Sequence, residues 1–436
     1  MEILIKASQL ILSLSILVVL HELGHFIPAR IFKTRVEKFY LFFNPWFSLF
    51  KYKKGDTEYG IGWLPLGGYV KISGMIDESM DKDQMSKPPE PYEFRSKPAW
   101  QRLIIMIGGV TVNLILAFLI YMMVLFVWGK EEMPMSNLPE GLAVDPLMEE
   151  YGFRDGDIIT SIDGEAIDDF NGVNKQIAIY GAESVGVQRP DGTDTMINLP
   201  EDFEYTLHEN GVRRPFFPRF PAVIGEIVED APAEEAGFES GDKILEVNGE
   251  PIVYWSDFTK FMRGKESEEL SMIVLREGQE VEINVTSDDE GKVGIGPKDP
   301  EFETKHVSYS FFSAIPNGVS YGVNTLEDYV VSLKFLGTSS GIKEVGGFGT
   351  IGNLFPAIWS WQAFWTLTAF LSVILAFMNI LPIPALDGGH VMFLLYEMIA
   401  GRPPGQKFME YAQMVGMILL LGLILYANFN DVLRLF

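Results

Sequence analysis

The chain has 436 residues and a mass of 49.0 kDa, which is enough for two to four domains. Hydrophobic residues make up 47% and charged residues 21%, and the mean hydropathy is +0.14. This composition excludes a disordered chain and is too apolar for an ordinary soluble protein. The formal net charge of −25 argues against nucleic acid as a partner, because phosphate binding needs a basic surface.

Four long apolar runs predict membrane-spanning helices, each of which needs about 20 mostly apolar residues. The runs cover residues 3–31, 103–128, 364–383 and 409–426. With their flanks, we assign the four helices to residues 1–31, 101–130, 361–390 and 391–436. The first run also resembles a secretory signal, but no small-residue cleavage site follows it, so we favour a retained helix.

The distribution of charge predicts the orientation in the membrane. Between Arg30 and Arg102 there are 13 Lys and Arg residues, which places this loop on the cytoplasmic side. Residues 131–310 carry 41 Asp and Glu against 14 Lys and Arg, a net charge of −27. Four spans then put this acidic block and both termini outside, in the periplasm or at the cell exterior if the membrane is a bacterial inner membrane.

The cytoplasmic loop of residues 32–100 contains two apolar, aromatic stretches, 39–43 and 61–66. Because glycines punctuate the second stretch, we expect β-hairpin strands that dip into the bilayer beside the helices, ahead of a polar linker at 77–91. Non-helical backbone at that depth must be buried in protein or face water. An interfacial loop anchored by its aromatic residues is the alternative.

The acidic block contains an internal repeat, in which residues 152–167 align with residues 237–252 at eight of sixteen positions. In each copy Gly-Asp precedes an apolar strand that ends in Asp-Gly or Asn-Gly, a tight-turn signal with positive φ. The repeat predicts two small β-rich domains, 136–202 and 219–298, between the second and third helices. Residues 311–360 then form an amphipathic region along the membrane. The fold class is a multi-pass α-helical membrane protein.

The first span contains an HExxH motif, His21-Glu22-Leu23-Gly24-His25. Residues four apart on a helix lie on one face, so both imidazoles can bind one zinc ion while Glu22 takes a proton from an activated water. Ionisable groups inside an apolar helix are costly and usually functional. The alternative is a solvated helix end. Pro28 follows closely, and we expect it to affect the local helix geometry.

A zinc site of this kind needs a third protein ligand. His208 and His306 fall in the acidic block, across the membrane from His21. Asp387 and His390 lie together at the cytoplasmic end of the third span, where two prolines and Gly-Gly break the helix. The broken helix can present Asp387 at the depth of His21, while His390 beside it stays open as a rival ligand and a helix-capping role for Asp387 is the alternative.

The motif in the first span, with the Asn379-x-x-Pro382-x-Pro384-x-Leu386-Asp387-Gly388 segment in the third, resembles the site-2 protease family of intramembrane zinc metalloproteases. Four spans and two repeated domains resemble its regulator of sigma-E protease (RseP-like) branch, in which the repeats are PDZ domains. The resemblance covers nearly the whole chain. It implies that His21, His25 and Asp387 are zinc ligands and that Glu22 is the catalytic base.

The resemblance also implies substrate-binding residues. Residues 109–113 match a family GxxxN motif, with Asn113 beside the active site, and residues 67–71 match a membrane-dipping β loop that receives substrate as an added strand. The residues so implied are Asn113, Asn379, Gly67, Gly68 and Tyr69.

The expected function is zinc-dependent cleavage of transmembrane segments within the bilayer. The resemblance implies anti-sigma factors or signal-peptide remnants as substrates, already trimmed by another protease, with PDZ-like domains that guard the site or bind peptide ends. One alternative is a membrane-anchored PDZ adaptor with a vestigial metal site. Metal transport is a weaker one, because it does not account for the repeated domains.

Overall fold

The computed structural model of the protein describes residues 1–65, 67–75 and 88–434. Within them the chain forms two compact units. One comprises Met1–Lys130 together with Ser308–Phe436, and the other comprises Glu131–Val307. The second unit is therefore an insertion into the first, at the place where the sequence changes from apolar to strongly acidic.

Two long helices and a small sheet make up the N-terminal part of the first unit. They are α1 (Glu2–Ile31), β1 (Val36–Leu41), β2 (Phe50–Lys54), β3 (Thr57–Ile61), β4 (Tyr69–Ile72) and α2 (Ala99–Trp128). Helix α1 continues through Pro28 to Ile31. The two helices approach each other closely at glycines, since a Cβ on Gly24 would lie 2.4 Å from the carbonyl oxygen of Gly108.

Within its described residues, the loop between α1 and α2 forms a larger sheet than the expected hairpin. Its four strands have the order β2–β3–β1–β4, and β1 runs parallel to β3 but antiparallel to β4. The loop between β1 and β3 brings β2 to one edge of this sheet, where it pairs with β3. Strand β4, which lies late in the loop, forms the opposite edge. The two apolar stretches predicted as strands overlap β1 and the last residue of β3. Strand β2, which is short and carries three lysines, was not predicted.

The second unit contains many short strands. Its first half has β5 (Lys130–Glu132), β6 (Leu142–Val144), α3 (Pro146–Glu150), β7 (Ile158–Ile162), β8 (Glu165–Ala166), α4 (Val173–Lys175), β9 (Ser184–Gln188), β10 (Asp194–Asn198), α5 (Phe203–Glu209) and β11 (Phe216–Pro218). Its second half has β12 (Ile224–Ile227), α6 (Pro232–Ala236), β13 (Lys243–Val247), β14 (Glu250–Pro251), α7 (Trp255–Phe261), β15 (Glu269–Arg276), β16 (Gln279–Thr286), β17 (Ile295–Pro297) and β18 (Lys305–Val307).

The two halves fold alike, as the internal repeat predicts. One sheet has the order β10–β9–β7–β8 and the other the equivalent order β16–β15–β13–β14, each over its own apolar core. The tight turns also have the predicted positive φ, with Asp163 and Asn248 both at 49°. The glycine that follows in each turn, Gly164 or Gly249, also has a positive φ.

The chain then returns to the first unit as six helices. They are α8 (Phe311–Ser332), α9 (Ser339–Glu344), α10 (Phe348–Asn353), α11 (Trp361–Ile380), α12 (Asp387–Ala400) and α13 (Gln406–Leu433). Four described helices, α1, α2, α11 and α13, are long and apolar enough to cross a membrane, which agrees with the number of predicted spans.

The third span ends earlier than the expected boundary at residue 390. Helix α11 stops at Ile380, and a turn leads into α12, a separate helix that begins at Asp387. The prolines of the turn account for the stop, because Pro382 and Pro384 cannot donate the backbone hydrogen bonds that a continuing helix needs. This break determines where Asp387 lies.

Candidate active site

Both histidines of the HExxH motif lie on the face of α1 that packs against α2. His21 and His25 are one turn apart, and their Nε2 atoms lie 3.2 Å from each other. His25 is 7% exposed, and its Nδ1 lies 2.8 Å from the carbonyl oxygen of Ile105 in α2. That contact fixes the ring so that Nε2 remains directed at His21.

The structure brings Asp387 to these two histidines from the far end of the chain. Its Oδ2 lies 3.3 Å from Nε2 of His21 and 3.3 Å from Nε2 of His25. Asp387 is the first residue of α12, and its side chain is not the cap of that helix, whose N-cap is Leu386. The prolines and the turn before α12 therefore direct the carboxylate towards α1.

The three side chains have the spacing of a tetrahedral metal site. Nitrogen and oxygen ligands about 2.0–2.1 Å from a zinc ion lie about 3.3 Å from one another in that geometry. The three observed separations are 3.2, 3.3 and 3.3 Å. Asp387 Oδ2 is also buried without a hydrogen-bond partner, as expected of an atom directed at a cation. The residues present therefore fit a zinc ion, with a fourth position left open.

Helix α2 makes room for the two imidazoles at Gly109. A Cβ at this position would lie 2.4 Å from Nε2 of His25 and 2.6 Å from Cε1 of His21. One turn further along α2, Asn113 is fully buried, and its Nδ2 lies 3.3 Å from Nδ1 of His21. Residues 109–113 thus contact the histidines directly, Gly109 by leaving space and Asn113 through a polar side chain.

A cavity of about 510 Å³ opens on the three converging side chains. Glu22 lines it beside His21, and Asn379, near the end of α11, lines it from the opposite helix. Five consecutive residues, 68–72, which include strand β4, line another wall. Among the described residues β4 is the outermost strand of its sheet, and an extended peptide can add to a sheet at such a position.

Gly68 allows the sheet to come this close to the motif. A Cβ there would lie 2.6 Å from Cγ1 of Val18 and 3.6 Å from Cγ of Glu22. Gly67 has a φ of 146°, which a residue with a side chain rarely adopts. Tyr69 follows, with its ring stacked on Tyr40 at 5.3 Å between centroids.

A second cavity, of about 340 Å³, lies on the other side of His21 and Glu22. Its walls are mostly apolar and come mainly from α1, α10 and α11, with further residues from α2 and from the loop between α1 and α2. The apolar residues include Leu14, Leu17, Phe348, Ile351, Leu371 and Leu375. Asn113 and Asn379 line it as well, and Asn379 therefore borders both cavities. The HExxH motif thus borders both cavities, and the second is the more apolar of the two.

The other three histidines lie apart from this cluster. His390 lines the first cavity, but among the described residues the group spaced to hold a metal ion consists of His21, His25 and Asp387. His208 and His306 belong to the inserted unit, where His306 contacts Glu131 at 2.6 Å. The sequence analysis did not identify Ile105. Its contribution is the contact of its backbone carbonyl with His25, which any residue type could make, so the sequence carries no signal for it.

The helices and the site together define a multi-pass membrane protein with a metalloprotease centre. The chain belongs to peptidase family M50, whose family model matches residues 9–423. It is therefore a zinc metalloendopeptidase of the site-2 protease type.

Relatives extend over nearly the entire chain. A regulator of sigma E protease from Haemophilus influenzae is 29% identical over 469 residues and covers 100% of both chains. The regulator of sigma-E protease RseP from Escherichia coli is 28% identical over 462 residues, covering 98% of both. A Neisseria meningitidis protein whose name describes a zinc metalloprotease is 29% identical over 450 residues, again covering 98% of both.

Proposed function

We propose that this protein cleaves transmembrane segments of other membrane proteins within the bilayer. The observation that carries the proposal is the convergence of His21, His25 and Asp387 beside Glu22, in a cavity between apolar helices. A hydrolytic centre in that position meets substrates that lie in the membrane. Soluble peptides lack the apolar length that would hold them there.

Each polar residue of the centre has a distinct role in this proposal. His21, His25 and Asp387 hold one zinc ion, which when bound polarises the scissile carbonyl and activates the attacking water. Glu22 accepts a proton from that water and delivers it to the leaving amine. The Asn113 amide beside Nδ1 of His21 orients that imidazole.

The substrate must be extended before it is cut, because the hydrogen bonds of a helix protect its peptide bonds. We place the unwound segment beside β4, the outermost strand of the sheet among the described residues, where main-chain hydrogen bonds would hold it extended. Gly67, Gly68 and Tyr69 form the start of this platform, and Asn379 binds the substrate from the facing helix. The apolar second cavity takes side chains of the membrane segment.

In this proposal the inserted unit controls the access of substrates to the active site. Its two sheets of equal strand order are PDZ-like in this proposal, and they restrict the site to substrates whose outer part has been removed or bind the ends of such substrates. Because several relatives are named regulators of sigma E, we propose anti-sigma factors or signal-peptide remnants as substrates. The protein then lies in a bacterial inner membrane, with the inserted unit and both termini outside and the active site near the cytoplasmic side.

The substitution Glu22→Gln tests the mechanism. We expect cleavage of a defined single-span substrate to fall to background, because an amide cannot accept the proton, while zinc content stays near that of the wild type. Glu327→Gln, at an exposed position of α8, is the control and should cleave normally. Full cleavage by Glu22→Gln would contradict the proposal. An unchanged biological function of that variant in a complementation test would instead favour the adaptor alternative.

A further inference from the structure

Helix α13 has a buried polar residue at the level of the active site. Gln413 is 6% exposed, although most of the helix is apolar and faces outward. Its Nε2 lies 3.4 Å from Nε2 of His390, three residues after Asp387 in α12. A buried amide in a membrane helix is costly unless it has a partner, so this contact accounts for a glutamine at that position.

The same face of α13 touches the turn in front of α12. Gly416, one turn after Gln413, lies so close to Pro384 that a Cβ on it would be 1.8 Å from the proline carbonyl oxygen. Only a residue without a side chain permits this approach, because the atom in the way is backbone. Helix α13 thus contacts the chain both before and after Asp387.

The turn that carries Asp387 needs support of this kind. Ala385 has a φ of 83°, a strained conformation for an alanine that persists only when the surroundings enforce it. Gly388 and Gly389 add little stiffness of their own. The carboxylate nevertheless has to meet two imidazoles at 3.3 Å.

We infer that α13 positions the third metal ligand, with Gly416 fixing the turn at Pro384 and Gln413 fixing the first turn of α12 through His390. Gln413 and Gly416 are positioning residues, since neither belongs to the group spaced to hold the metal. His390 is then a link to α13. The inference rests on the proposed function, because it concerns the same metal centre.

Two pairs of substitutions on one helix test this inference. Gln413→Leu removes the polar contact at nearly constant volume, and Gln406→Leu changes an exposed glutamine of α13 in the same way. Gly416→Ala adds a methyl group against Pro384, whereas Gly422→Ala adds one where no atom lies within 4 Å. Each full-length variant is purified in detergent and compared with the wild type by zinc competition against a chelator, by the visible spectrum of bound cobalt, and by thermal melting.

We expect Gln413→Leu and Gly416→Ala to weaken zinc binding about tenfold and to alter the cobalt spectrum, because outer partners of metal ligands tune both. The melting profile should change little, and both controls should match the wild type. In a cleavage assay kcat should fall, with KM unchanged.

Wild-type zinc affinity and cobalt spectra in both site variants would overturn the inference. So would loss of the melting transition in Gln413→Leu with the control intact, since the contact would then support the fold as a whole. A wild-type protein that binds no zinc and cleaves nothing would contradict the proposed function itself, which is a separate outcome.

Discussion

The absence of a side chain at Gly109 makes space for the imidazoles of His21 and His25. We expect Gly109→Ala to lower zinc content and cleavage by tenfold or more, because the methyl group would lie 2.4 Å from Nε2 of His25 and displace the ring. Metal analysis of the purified protein measures this. Thr111→Ala, at an exposed position of the same helix, should bind zinc normally. Equal zinc in both variants would mean that α2 can move away from α1.

The two copies of the sequence repeat in the inserted unit share a buried ion pair as well as a strand order. In each copy a buried aspartate pairs with an arginine further along the chain: Asp157 with Arg189 at 2.7 Å, and Asp242 with Arg276 at 2.6 Å. Burial raises the pKa of the Asp242 carboxyl, but bonds from Arg276 and the Glu239 amide outweigh it, so this pKa lies below its usual range. The repeated Gly-Asp sequence therefore marks a buried ion pair as well as the start of a strand.

Removing the Asp242 charge should destabilise the second repeat. We expect Asp242→Asn to lower its unfolding free energy by roughly 1–3 kcal/mol at pH 7, because Arg276 loses its buried partner. A carboxyl with a lowered pKa stabilises the fold above its unfolded pKa of about 3.9, and that contribution disappears as the pH falls through the folded value. The difference between wild type and variant should therefore shrink below about pH 4. Thermal melting of the full chain at several pH values measures this, and a constant difference would contradict it.

In the molecule as a whole, the candidate metal site and the inserted unit belong to different compact units. All residues of the candidate site belong to the first unit, while β5 and β18 pair with each other, so the chain leaves and re-enters that unit at neighbouring positions. We expect a variant with residues 131–307 replaced by a short Gly-Ser linker to keep its zinc and to cleave substrates with large outer domains that the full chain rejects. Zinc content and cleavage of a matched pair of substrates, trimmed and untrimmed, measure both effects. Unchanged selectivity would assign the insertion another role.

The sequence alone determined the features that depend on neighbouring residues. The four spans follow from continuous apolar runs, the repeat from an offset of 85 residues, and the facing of His21 and His25 from the helical period. The tight turns at Asp163 and Asn248 follow from their sequence and have the expected φ. Each of these is a local property, because a helix or a turn forms from the residues within it.

Which residues lie opposite the HExxH motif depends on the tertiary structure. Asp387 meets His21 across 366 positions of sequence only because α11 stops at Ile380 and a turn directs α12 back towards α1. The choice of Asp387 relied on a family resemblance, and nothing local separated it from His390. The close approach of Gly416 to Pro384 and the edge position of β4 were equally hidden. The physical reason is that side chains of both partners set the depth and rotation at which two helices pack. Contacts between distant segments therefore follow from the packed fold and cannot be derived from either segment alone.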